Sequence, residues 1–90
     1  MEKYKWTKEE TRIALYAYLK GMSRCEATTL AESMGISSGA FIMRMANFRY
    51  LDTNGKKGLS SIKKLEQEVW DEYCNNKSDW IKTMEQKYSF

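Results

Sequence analysis

The chain has 90 residues and a mass of 10.6 kDa, with 42% hydrophobic, 13% aromatic and 30% charged residues, which is one small domain with one modest core rather than a disordered polymer. It contains no histidine and no proline, which removes the commonest general base, the Ser–His and Cys–His nucleophile pairs and most transition-metal sites. Its net charge of +3 is uneven: residues 1–58 carry ten Lys/Arg against six Asp/Glu, and residues 59–90 carry five against six; that excess permits a nucleic-acid partner without arguing for one.

The N-terminal stretch MEKYKWTKEE has no apolar run, so no secretory signal is expected. No run of ~18 apolar residues occurs, so no membrane span is expected either. Cys25 and Cys74 form no CxxC pair and have no histidine to complete a zinc set. They are expected to be reduced, half-buried helix residues of a cytoplasmic protein.

Thr7 with Glu10 is a capping box, opening a helix over about residues 8–20. Its run from Ile13 to Leu19 is almost wholly apolar, which predicts contact on more than one side. Gly21 stops it. Ser23 with Glu26 is a second capping box, and Ala27, Leu30, Ala31 and Met34 form one apolar stripe after it. Gly35 ends that helix, and Ile36 plugs the turn. Ser37 or Ser38 then caps a third helix, about residues 39–51. Phe41, Met45 and Phe48 are its inner face. Gly39, Met43, Ala46, Asn47 and Tyr50 point the other way, with Arg44 and Arg49 at the flanks.

Thr53-Asn54-Gly55 is turn chemistry, in a polar loop that continues through Lys56 and Lys57 to Ser61. A fourth helix is predicted over about residues 62–73, with Ile62, Leu65, Val69 and Tyr73 inward and Trp70 beside them. Asn75-Asn76 breaks it. Ser78 caps a last helix, about residues 79–88, anchored by Trp80, Ile81, Met84 and Tyr88. No segment alternates with period two, so no sheet is expected. The fold class is therefore all-α: one helical domain with a helix-turn-helix core at about residues 7–51 and two supporting helices at about 62–88.

Glu9-Glu10, Glu66/Glu68 and Asp71-Glu72 read as solvated acidic faces interleaved with lysines, since a divalent-cation site needs convergent oxygens and usually a glycine-containing loop. There is no phosphate-cradling glycine pattern. No catalytic residue, metal or cofactor is expected. The second and third helices are the informative part. A short helix, a glycine turn and a longer helix make a helix-turn-helix, whose second helix enters the major groove. In that reading Ser37 and Ser38 donate to phosphate. Asn47 pairs with adenine, Arg44 or Arg49 reaches guanine or phosphate, and Met43 lies on the exposed face. Lys56 and Lys57 are either a phosphate clamp or a solvated loop. Asn47 could equally cap or bridge to the following loop, and the C-terminal helices could equally cover Met43 and Tyr50.

Trp6-Thr7-Lys8-Glu9-Glu10 at the head of a helix resembles the start of a Myb/SANT-like domain. Three stretches, WTKEETRIALYAYL, MGISSGAFIMRMANFRYLD and KGLSSIKKLEQEVWDEY, resemble in the same order the N-terminal module of bacterial HNH restriction-type endonucleases. The likeness covers about residues 6–74. Ala40, Met43, Ala46, Asn47, Phe48, Leu51 and Asp52 stand where that module has the same residues. Arg44 replaces its lysine, Ile36 its usual arginine and Ser38 its frequent proline. The interval between the first two helices is shorter here than in many relatives. The resemblance implies a Myb-like helical module that recognises double-stranded DNA. The His-dependent nuclease that follows it in the family has no counterpart among these residues. The expectation is a non-catalytic DNA-binding protein of a bacterium or phage, a regulator or a detached recognition subunit. The alternative is a protein-interaction module, such as a defence or anti-defence factor.

Overall fold

Capping chemistry sets most of the helix boundaries in the computed structural model, which describes residues 6–55 and 62–88. The helices are α1 (Lys8–Leu19), α2 (Arg24–Ser33), α3 (Ser38–Asp52), α4 (Lys64–Asn75) and α5 (Lys77–Lys87). There is no strand among the described residues. Both sequence-predicted capping boxes form: Thr7 with Glu10 and Ser23 with Glu26 each exchange two hydrogen bonds. At the end of α2, the Gly35 amide donates to Glu32 and the Ile36 amide to Ala31. Gly35 has φ +72°, and this paired closure needs the left-handed conformation that glycine takes without a Cβ penalty. Ile36 follows the turn into the core and is buried.

Three boundaries differ from expectation. Ser37 occupies the N-cap of α3 but makes no capping bond from its side chain. The fourth helix starts at Lys64, because the Glu66 carboxylate reaches back to the Lys63 amide at 2.8 Å. Asn76, not Ser78, caps α5, accepting from the Asp79 amide.

α1 is the hub. It packs against α3, α4 and α5, which is why it can be apolar nearly all round: Ile13 through Ala17 are all buried. α2 leans on α3 and barely touches α1, and buries only Ala27 and Ala31. Phe48, Trp70, Tyr73 and Trp80 form an aromatic chain, with successive centroids 6.4, 5.3 and 5.3 Å apart. This chain pins α4 and α5 to α3, as expected for the two C-terminal tryptophans. Edge-to-face and offset contacts of this kind add to the area each ring buries.

A polar seam closes the opposite side of α1. Arg12 donates two bonds of 2.8 Å to Glu72 on α4 and one of 3.0 Å to Glu9. Trp80 Nε1 donates to Glu72, and the Tyr88 hydroxyl donates to Glu9. The Arg12 bonds hold the Glu72 carboxyl at a pKa of about 2, against an ordinary 4.5 and against the opposing effect of burial. Burial, then the bond to Glu9, lifts the Tyr88 phenol to about 12 from an ordinary 10.0. Burial and a 2.7 Å bond to Asp52 lift Tyr18 to about 12.

The two shifts act at opposite ends of the pH scale. The fold favours ionised Glu72, so that stabilisation is present above its ordinary pKa of 4.5 and is lost as pH falls towards about 2. It favours neutral Tyr18 and Tyr88, so their stabilisation is complete below 10.0 and is lost as pH rises to about 12. Melting followed by circular dichroism is expected to show a plateau flanked by these two losses. Tyr88→Phe should shrink the alkaline loss and leave the Glu72 part of the acid one in place; an unchanged alkaline limb in Y88F would refute the assignment to Tyr88.

Candidate functional site

The surface of α3 is divided by its neighbours. α1 lies behind it, α2 on one flank and α4 on the other. The α4 flank is where the structure departs most from the sequence reading. Glu66 of α4 is fully buried, at 0% exposure. It accepts from Arg44 at 2.8 Å, from Asn47 Nδ2 at 2.6 Å and from the Lys63 amide at 2.8 Å. The Arg44 guanidinium also lies 4.7 Å from the Trp6 ring centroid, and that ring stacks on Phe41. One carboxylate thus ties α3, α4 and the segment before α1 together. Such a buried charge is tolerated only because its oxygens are matched by charged and polar donors.

This arrangement corrects two expected DNA contacts. Asn47 is 4% exposed and faces α4, so it is not placed to pair with adenine. Arg44, with its side chain 17% exposed, is held by Glu66 and Trp6, so it is not an open reader of guanine or phosphate. It also corrects the reading of Glu66 as part of a solvated face. Glu68 and Asp71 are solvent-exposed as expected, while Glu9 and Glu72 belong to the α1 seam. Cys25 and Cys74 are free thiols, exposed rather than half-buried.

What remains open on α3 is a narrow stripe. Gly39 is exposed, Met43 is 53% exposed, and Ala46 and Tyr50 are half-buried along the same line. α4 and α5 therefore do not cover Met43. The Tyr50 ring rests on the turn at Gly55, where a Cβ would lie 3.2 Å from the ring and φ is +83°. A side chain there would meet both the ring and an unfavourable backbone conformation, so this glycine fixes the far end of the stripe. Ser37 is exposed and Ser38 half-buried at its near end.

On the α2 flank, the stripe borders an open groove of ~470 Å³ between the end of α1, α2 and α3. Met22, Ala27, Ile42 and Met45 line its apolar floor, with Arg24 and Arg49 beside them. Met45 is thus half-buried under this groove rather than a central core residue. Arg24 and Arg49 are exposed, and neither forms an ion pair among the described residues. Exposed Lys20 lies over the Tyr16 ring nearby in sequence. Lys56 and Lys57 fall outside the described residues.

Of the residues singled out from sequence, Ser37, Ser38, Met43 and Arg49 therefore share the open side of α3, and Arg44 and Asn47 do not. Arg24, which the sequence reading did not single out, lines the same groove as Arg49; its place as the first residue of α2, just after the Ser23 cap, was the available signal. Among the described residues no group of three or more His, Cys, Asp or Glu side chains converges as a metal site. No described helix is long and apolar enough to cross a membrane. Comparison with protein-family models, with curated proteins and with solved structures finds no match.

Proposed function

We propose that the chain is a non-catalytic double-stranded DNA-binding module of the bacterial or phage cytoplasm. In this reading α1, α2 and α3 form a Myb-like helix-turn-helix, and α4 and α5 brace it. The observation that carries the reading is the pair Arg24 and Arg49. They are exposed cations without an acidic partner among the described residues, flanking the open side of α3. Two guanidiniums without ion pairs among the described residues, together on one flank of a helix that presents its outer stripe, suit the phosphates along one edge of a major groove. Ser37 and Ser38 at the start of α3 add two hydroxyl donors towards the same backbone. The resemblance to HNH-associated modules supports the same function.

Binding is expected to be salt-dependent. If Lys20, Arg24, Arg49 and the adjoining lysines neutralise roughly three to five phosphates, log K should fall against log salt with a slope of about −3 to −4.5. Arg24→Ala and Arg49→Ala should each weaken every duplex alike and reduce that slope by about one. Fluorescence anisotropy across a salt series measures both. The second reading, a protein partner, draws on the apolar character of the stripe, with Met43 at its centre. No binding to any duplex at about 50 mM salt would overturn the DNA reading in favour of that one.

A further inference from the structure

The open stripe of α3 is chemically unusual for a helix that would sit in a major groove. Its members are Gly39, Met43, Ala46 and Tyr50, and half-buried Ile42 borders them. None carries an amide, a guanidinium or a carboxylate. Of the three residues of α3 that could make bidentate bonds to guanine or adenine edges, Arg44 and Asn47 are bound to the buried Glu66. Arg49, the third, has no ion pair among the described residues and lies off the stripe as a flanking cation beside the groove. The major groove offers one base feature that an apolar surface recognises, the C5-methyl group of a pyrimidine.

Building on the DNA-binding reading, we propose that α3 selects duplexes by their C5-methylpyrimidines, through Met43 and Ala46, and does not read guanine or adenine edges by bidentate bonds. Thymine and 5-methylcytosine present the same methyl group at the same place, so either can supply it. The long, unbranched and polarisable thioether of Met43 adapts to a methyl without demanding one fixed geometry. Ala46 is short enough to let the helix approach. Arg24 and Arg49 supply affinity independent of sequence, and the stripe supplies the preference.

The test removes the methyl and nothing else. Anisotropy titrations compare an alternating dA·dT duplex with its deoxyuridine counterpart, and a G·C duplex with its 5-methylcytosine counterpart, at one salt concentration and over a salt series. Each methyl group taken out of water should be worth about fourfold in affinity, so one or two contacts give roughly four- to sixteenfold weaker binding of the demethylated duplex. The salt slope should not change, because no phosphate contact is altered. A preference confined to one pair of duplexes names the source of the methyl. Met43→Ala, on an exposed position that leaves the fold alone, should bring the ratio down towards one. A ratio that persists in M43A would assign the preference to DNA shape and overturn the proposal. Equal, salt-dependent binding of all four duplexes would overturn it while leaving the DNA-binding reading intact. Failure to bind any of the four would overturn both.

Discussion

Glu66→Ala is expected to destabilise the protein by about 3–5 kcal/mol, the cost of stripping one partner from a buried charge cluster. Arg44 would lose its ion pair, Asn47 its bond to the carboxylate, and the Lys63 amide its helix-start acceptor. For a domain whose whole stability is roughly 5–15 kcal/mol, that loss takes a large share. The cost measures the broken cluster, not the worth of having it. Replacing the three side chains together, as Arg44→Leu, Asn47→Leu and Glu66→Met, should recover most of that loss, because the Lys63 amide at the start of α4 is then the one donor of the cluster that has lost its acceptor. Asn47→Ala alone removes a hydrogen bond to a charged group and should cost about 1.5–3 kcal/mol. Urea denaturation followed by circular dichroism measures all of these. A loss below about 1 kcal/mol in E66A would mean that the carboxylate is solvated and that the α3–α4 contact has been misread.

Phe48→Ala should cost a similar amount, about 3–5 kcal/mol, for a different reason. The ring is fully buried and lies 6.4 Å from the Trp70 centroid. Truncation opens a void at the junction of α3 and α4 and cuts the aromatic chain at its first link. No partner substitution restores it, since the lost quantity is packed volume and apolar burial. Urea titrations read by tryptophan fluorescence and by circular dichroism separate local from global loss. Coincident transitions at a lower midpoint are the expected result. An unchanged midpoint would show that Phe48 does not bridge these helices.

These two residues also show how far the sequence could be read. Phe48 was legible because it recurs with Phe41 at helical spacing, and such a stripe means core in almost any helical fold. The capping boxes and the glycine stops were legible for the same reason: they are local chemistry that does not depend on which helix packs where. Asn47 was not, because its outward angle was measured from the face that meets α1, and the wheel of α3 alone cannot show that α4 covers the adjoining flank. Glu66 did leave a signal. On α4 it falls within ~20° of Tyr73 and lies between the directions of Val69 and Tyr73 and that of Trp70. An acid inside an apolar arc asks for a buried partner. It was obscured by exposed Glu68 two residues on, which has the same composition and the opposite environment. Of the α3 residues on which the resemblance rests, Asn47 and Phe48 are buried, Ala40, Ala46 and Leu51 are half-buried, and Met43 and Asp52 are exposed.

The attachment of α2 has a consequence for how this chain can change over generations. α2 is held almost entirely by α3, and its link to α1 is the short turn at Lys20, Gly21, Met22 and Ser23. Residues inserted in that turn would lengthen a surface connection without entering the packing among α1, α3 and α4. Closure entropy grows slowly with loop length, by about 0.6 kcal/mol per doubling. The turn is therefore a place where segments can be inserted at little thermodynamic cost. An insertion at the break between α4 and α5, which is Asn76 alone, meets a harsher filter, because Glu72 and Trp80 are bonded across it and the Arg12 seam depends on both.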